Sequence, residues 1–347
     1  MIPVFDGHND TLLLHAQDPD RDFFARHDDG HVDLVRAREG GLVGGFFAVW
    51  TPSPDLPPAY AGLGDDRGLP FPPGGAVDPA RARAHADRCL AQLLAWHEDP
   101  AGRFRLVRTA LELEEAIRDG VMAGIAHFEG AEAIGPDLAA LDVYHAAGLR
   151  SLGPVWSRPN LFGFGVPFVF PSGPDLGPGL TPHGRALVRR CNELGIMLDL
   201  SHITERGFWD VAELSTHPLV ATHSNAHAIC PSPRNLTDEQ LAAVAASDGV
   251  VGLNFNTGFL DPEGRRDTTL PLDVMVRHVD HLVDRLGVSR VALGSDFDGA
   301  TMPDGVKDAS QLQNLMAALA ATGYDDDSLR AIGHGNWLRV LKLTWGE

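Results

Sequence analysis

Eight short apolar runs, separated by stretches with helical spacing, recur along the whole of this 347-residue chain. The runs are residues 2–5, 42–50, 122–129, 149–156, 196–202, 219–223, 250–255 and 291–296. Between and after them, apolar residues recur at helical intervals in 32–39, 79–98, 109–118, 136–147, 181–194, 205–214, 237–246, 272–286, 311–322 and 326–343. Alternating strand and helix signals call for a parallel sheet. Eight repeats in a chain of this length fit one (β/α)8 barrel over residues 1–347, an α/β fold whose active site sits where the strands end. The rival is a doubly wound sheet. It is weakened because no Gly-x-Gly-x-x-Gly follows a strand and no phosphate-binding loop motif is present. Two Pro/Gly-rich stretches, 51–78 and 157–180, follow the second and fourth runs. They are read as rim loops over the site.

The strand ends carry the chemistry. The first run leads into Asp6-Gly7-His8-Asn9-Asp10. Alternation along a strand puts His8 and Asp10 on one face, which makes half of a metal site. The third run ends at Glu129, the fifth at His202, the sixth at His223 and the eighth at Asp296. One histidine at a strand end is more often hydrogen-bonded structure than a ligand. Three histidines and three carboxylates at one rim point to metal. His8, Asp10, His202 and His223 offer four ligands for two ions, and Glu129 has two oxygens with which to bridge them. The only lysines, Lys307 and Lys342, lie at no strand end, so a carboxylated lysine cannot be the bridge. Two ions joined in this way would lower the pKa of a bridging water and supply hydroxide at neutral pH. Asp296 would then carry the proton; its alternative is a cap for the following segment. Arg234 in Pro233-Arg234-Asn235 reads equally as a surface arginine or as a fork for a substrate carboxylate. His127, two residues before Glu129, falls one layer deeper and is read as structural support. His227 and His334 carry no signal of their own.

The formal net charge of −19 argues against nucleic acid as a partner. Cys89, Cys191 and Cys230 are widely spaced and read as ordinary buried thiols. No run is long enough to span a bilayer, and the opening residues do not resemble a signal peptide. The expected location is cytoplasmic, with no membrane partner.

Asp6-Gly7-His8-Asn9-Asp10, Phe128-Glu129-Gly130, Leu200-Ser201-His202, Thr222-His223-Ser224-Asn225 with Pro233-Arg234-Asn235, and Gly294-Ser295-Asp296-Phe297-Asp298-Gly299 together resemble the renal (membrane) dipeptidase family, peptidase family M19. The closing Gly335-Asn336-Trp337-Leu338-Arg339-Val340 is also similar, so the resemblance spans nearly the whole chain. It implies a two-zinc barrel of the amidohydrolase type that hydrolyses dipeptides, often with a D-residue at the C-terminal position. It implies that His8 and Asp10 hold one zinc, that His202 and His223 hold the other, and that Glu129 bridges. It also implies proton transfer by Asp296, a substrate carboxylate on Arg234, and a homodimer. One position departs from the pattern. Where the family has a histidine that polarises the scissile carbonyl, counting forward from Glu129 reaches Trp156. The donors nearby are Arg158 and Asn160, at a different spacing.

Three readings follow. The first is a zinc dipeptidase. The second is a metal-dependent amidohydrolase for another small amide or ester, its choice altered at Trp156. The third is a metal-stabilised binding protein without catalysis, which would have no use for a free proton carrier at Asp296.

Overall fold

The computed structural model describes residues 1–53 and 77–346. Most of the first Pro/Gly-rich stretch, residues 54–76, lies outside the described residues. The strands are β1 (Val4–Asn9), β2 (Leu42–Trp50), β3 (Phe104–Leu106), β4 (Met122–Glu129), β5 (Leu149–Gly153), β6 (Met197–Leu198), β7 (Val220–Ala221), β8 (Val250–Leu253) and β9 (Val291–Leu293). Their pairings are all parallel, in the orders β1-β2-β4-β5-β6 and β7-β8-β9. Single bridges close the two arcs on each other. Asp199 pairs with Val220 between β6 and β7, and Asn9 pairs with Phe297 between β1 and the segment after β9. The result is the (β/α)8-type barrel that the alternation implies. β3 is an addition to it. Its three residues pair with the first half of β4, Phe104 opposite Met122 and Leu106 opposite Gly124, and are too few to show a period in the sequence.

Alternation along β4 sorts its side chains. Ala123 and Ile125 join Phe5, Phe46, Met197, Val220, Val250 and Ala292 in a buried cluster inside the barrel. Ala126 and Phe128 instead join the larger cluster between strands and helices. The floor of the barrel is closed by Trp337, Val340 and Leu341 of the helix Asn336–Trp345. The Trp337 indole is fully buried, packs edge-on against Phe46 at 5.2 Å, and donates Nε1–H to the Leu293 carbonyl at 3.0 Å. Gly252 leaves room for it: a Cβ there would stand 3.0 Å from the indole. The expected C-terminal helix over 326–343 is split by a π-turn, Ala331–Gly335, just before Trp337.

The last four runs form shorter ladders than their apolar length suggests. Beyond β6 and β9 the chain reaches His202 and Asp296, whose φ of 70° and 63° are left-handed values that no strand accommodates. Side chains replace the lost ladder bonds. Asp199 Oδ1 accepts Thr222 N–H at 2.8 Å, Asp6 Oδ1 accepts Ser295 N–H at 2.6 Å, and Asn225 Oδ1 accepts Asn254 N–H at 2.9 Å.

Helix starts follow their capping residues. Thr237 and Gln240 form the full reciprocal box before Asp238–Ala246. Thr109 caps Glu112 N–H at 3.1 Å, but the Glu112 carboxylate reaches back to Arg108 N–H at 2.6 Å, one residue before the box position. The short helix Thr11–Gln17, unanticipated from the sequence, starts directly after Asp10. Among the described residues, no helix is long and apolar enough to cross a membrane.

Replacing Trp337 by alanine should empty the floor. The expected loss of stability is about 3–5 kcal/mol, the usual scale for truncating a buried aromatic, read as a lowered urea midpoint. An unchanged midpoint would show that the floor does not depend on this indole.

Candidate metal centre

The candidate residues converge at the mouth of the barrel from five strand ends. His8 and Asp10 come from β1, Glu129 ends β4, His202 follows β6, His223 follows β7, and Asp296 follows β9. The pairing between β1 and β2 slips by a residue between Asp6 and Asn9, so β1 is not the plain alternating strand assumed from its sequence. A slip of this kind bends a strand and re-aims its side chains. His8 and Asp10 still meet, with Nε2 and Oδ2 3.5 Å apart.

Glu129 sits between two groups. Its Oε2 lies 3.7 Å from His8 Nε2, while its Oε1 lies 2.9 Å from His202 Nε2 and 3.5 Å from His223 Nε2. Each trio, His8–Asp10–Glu129 and Glu129–His202–His223, brings its ligand atoms within 4.8 Å of one another, and all are buried. Asp296 with His8 and His223 forms a further such group.

These residues fit a metal on their own chemistry. Both ring nitrogens of His8 are buried without a hydrogen-bond partner, a rare condition for polar atoms. His202 Nε2 and His223 Nε2 stand 3.0 Å apart, while their Nδ1 atoms are engaged elsewhere, with Ser157 Oγ at 2.7 Å and Thr222 Oγ1 at 2.8 Å. Two imidazole lone pairs at that distance repel unless a cation or proton stands between them.

The electrostatics say the same. Burial alone pushes the His8 pKa down, but Glu129, Asp10 and Asp296 outweigh it and raise the pKa to about 10. Burial raises the Glu129 and Asp296 carboxyls, strongly for Glu129. Burial holds His202 and His223 well below the usual imidazole value, and nearby Arg234 and His8 add to this. The centre is a desolvated cluster of carboxyl groups and imidazoles, the donor set that borderline divalent ions take. His127 lies one layer deeper on β4, as the period of two implies. Burial lowers its pKa to about 3, and its Nδ1 meets Ser151 Oγ at 2.9 Å.

Two open alternatives close. Arg234 is only 3% exposed, so it is no surface arginine. It donates Nη2–H to the His223 carbonyl at 3.1 Å, leaves Nε unpartnered, and lies 5.3 Å over the Phe259 ring. Asp296 caps no helix. Its Oδ2 accepts from Asn254 Nδ2 at 3.0 Å, and its Cα sits in a left-handed turn.

Trp156, where the resemblance leads one to look for a histidine, packs between Trp50 at 5.2 Å and Phe168 at 5.6 Å, with His202 at 5.7 Å. Arg158 and Asn160 do not take over the missing role. Arg158 is fully buried and tied to Glu132 Oε1 at 2.8 Å, Ser53 Oγ at 2.9 Å and the Thr51 carbonyl at 2.8 Å. Asn160 folds its own loop, donating to the Pro154 carbonyl at 2.8 Å and accepting from Phe162 N–H at 2.8 Å. Sequence reasoning missed Ser157, Asp199, Thr222 and Asn254, which hold the ligands and Asp296. The one signal available was position, since Thr222 precedes a ligand and Asp199 lies three residues before another.

A parallel barrel with histidines and carboxylates gathered at its C-terminal mouth is an arrangement suited to a metal-dependent hydrolase. The family described as membrane dipeptidase, peptidase family M19, matches residues 1–344, and the chain belongs to it. A metallopeptidase from Rhodobacter sphaeroides, solved with a phosphinate mimic of the dipeptide L-Ala-D-Ala, is 50% identical over 99% of both chains, with a TM-score of 0.95. A second solved M19 dipeptidase is 51% identical over 100% of this chain and 99% of its own, also at 0.95. A Claviceps purpurea protein named dipeptidase tcpJ is 28% identical over 97% of this chain and 76% of its own length. The protein is accordingly a hydrolase of the dipeptidase and metallopeptidase class.

If Glu129 ties the two trios together, metal should stabilise the fold through it. Returning zinc to chelated protein at about 1,000 times its Kd should add about 4 kcal/mol, seen as a raised thermal midpoint. Glu129→Gln should lose most of that increment. An equal increment in the variant would remove Glu129 from the centre.

Proposed function

We propose that this protein hydrolyses dipeptides with two zinc ions held at the barrel mouth, and that it accepts a D-residue at the C-terminal position. One observation supports the two-ion reading above the rest: the two oxygens of Glu129 face different trios, His8 with Asp10 on one side and His202 with His223 on the other. Two such ions supply Lewis acidity and an activated water at neutral pH. The ligand in the Rhodobacter sphaeroides relative supports the L,D-dipeptide class.

The chain's own residues then divide the work. Asp296, held by Asn254 and buried beside His8, takes the proton from the attacking water and returns it to the leaving amine. Arg234, with an unpartnered Nε and its guanidinium 5.3 Å over the Phe259 ring, is the fork for a substrate carboxylate. Trp50, Trp156, Phe168 and Phe259 form a chain of ring contacts beside the centre, with 5.2 Å, 5.6 Å and 6.0 Å between successive rings. This apolar wall suits small uncharged side chains and excludes bulk water from the scissile bond. A second reading, an amidohydrolase for another small amide or ester, is favoured by Trp156 alone. That residue removes the donor that the resemblance assigns to the scissile carbonyl.

The deciding experiment is a hydrolysis screen over L,L- and L,D-dipeptides, their C-terminal amides and simple esters, with zinc present. Dipeptides should lead, and activity on amides or esters alone would select the second reading. Asp296→Asn should lower kcat by roughly 100-fold or more, the scale of general acid–base help. Metal content is measured alongside, because Asp296 lies within ligand range of His8 and His223. A metal-replete variant with unchanged kcat would end the proton-transfer role. Arg234→Ala should damage hydrolysis of free dipeptides far more than of their amides. Equal losses on both would show that Arg234 does not read the carboxylate.

A further inference from the structure

Beneath the ligand histidines lies a hydrogen-bond chain of fixed direction. Asp199, 1% exposed, follows β6 inside the barrel. Its Oδ1 accepts two backbone donors, Ser201 N–H at 3.0 Å and Thr222 N–H at 2.8 Å. Its Oδ2 receives the Thr222 hydroxyl at 2.6 Å. The same hydroxyl oxygen stands 2.8 Å from His223 Nδ1. Thr222 has one hydroxyl proton, and a carboxylate can only accept. At 2.6 Å the proton must lie between Thr222 and Asp199, or two bare oxygens would face each other. Thr222 is therefore left as an acceptor toward His223, and Nδ1 must carry a hydrogen. Asp199 Oδ2 itself lies 4.0 Å from Nδ1 and favours a proton there too. A neutral imidazole protonated at Nδ1 has its lone pair on Nε2, the atom 3.5 Å from Glu129 Oε1.

We propose that Asp199, acting through the Thr222 hydroxyl, is a positioning residue that fixes His223 as the Nδ1–H tautomer and so presents an unprotonated Nε2 to a metal ion. The inference rests on the metal-centre reading above. It goes beyond that reading by assigning the direction of each proton in the chain. Partners of this kind govern metal affinity by about 10–100-fold.

The direction of the chain makes the isosteric variant informative. In Asp199→Asn, the amide oxygen must stay on the two backbone N–H groups, which turns the NH2 toward Thr222. The hydroxyl then accepts from Asn and donates to His223 Nδ1, moving the ring proton to Nε2, where a metal would bind. Thr222→Val keeps the shape of the residue and removes the relay. Thr222→Ser restores the hydroxyl without the methyl group.

The test titrates zinc into metal-free protein against a chelator of known affinity and counts ions. Asp199→Asn and Thr222→Val should weaken one ion by about 10–100-fold, with thermal unfolding of the metal-free proteins alike, and Thr222→Ser should restore affinity. Wild-type affinity in both Thr222→Val and Asp199→Asn would overturn the proposal. Wild-type protein that takes up no zinc would instead overturn the metal reading on which it rests. A measurement on unmutated protein decides independently of folding in the variants. The imidazole nitrogen-15 spectrum of the metal-free chain, with His223 assigned by its loss in His223→Gln, should show a protonated Nδ1 and a bare Nε2. A proton on Nε2 would refute the assigned direction.

Discussion

Burying the Glu129 carboxylate where the strands end is the constraint to which the rest of the mouth answers. A lone carboxylate loses most of its hydration at such a depth and is expensive to keep charged. Its pKa is accordingly driven up by burial. The neighbours do not neutralise it in the ordinary way. His8 and, less so, Arg234 lower the pKa only in part, and Asp10 and Asp296 push it higher still. His8, with its pKa raised to about 10 by the same carboxylates, is the one imidazole there ready to take a proton. A metal cation held there would make that proton unnecessary and would give the unpartnered His8 ring a partner. The barrel makes this arrangement affordable because it is rigid below. The Trp337 floor and the ring of inward apolar residues hold the strand ends so that an unfavourable cluster of charge cannot relax outward.

The last strands are short and meet the same constraint differently. Glu129 aims into the mouth from the last rung of β4, whereas His202 and Asp296 do so from beyond their ladders. Both sit in left-handed turns, and Asp298 follows with a φ of 67°. Asp6, Asp199 and Asn225 then bind the displaced backbone N–H groups. The polar residues between the ligands are thus structural joints. Ser295 illustrates this, since its N–H and hydroxyl both bond the Asp6 carboxylate at 2.6 and 2.7 Å. Burial raises the Asp6 pKa to about 6 despite those bonds. Its charge is kept by the joint it makes.

The alternation of elements and the convergence of strand ends were legible because both depend on period. β4 shows this best: a period of two alone separates Ile125, His127 and Glu129 from Ala126 and Phe128. What depended on local hydrogen bonding was not legible. β3 is three residues that pair only with half of β4. The slip in β1 changes aim without changing composition. Asp199 and Thr222 belong to ordinary-looking strand runs, and only their meeting across β6 and β7 gives them a joint role. Arg234 could be read either way until its burial was known, because an arginine in a Pro-flanked loop is usually solvated.

Trp156 sets the character of one side of the rim. With an indole against His202 and Phe168, the loop after β5 offers the site a wall in place of the expected donor. Its polar neighbours cannot swing in to compensate. Freeing Arg158 would strand the buried Glu132 carboxylate, since the two are paired at 2.8 Å and both are nearly inaccessible. Breaking such a pair costs more than a new contact returns. Freeing Asn160 would unmake the turn that carries Phe162 into the core. On the proposed function, charge developing on a scissile carbonyl would be met from the other side of the mouth, where His8, Asp10, Glu129, His202 and His223 would hold the metal. On the same proposal the aromatic side of the site would discriminate by shape, and the side carrying Arg234 and the candidate metal ligands by charge.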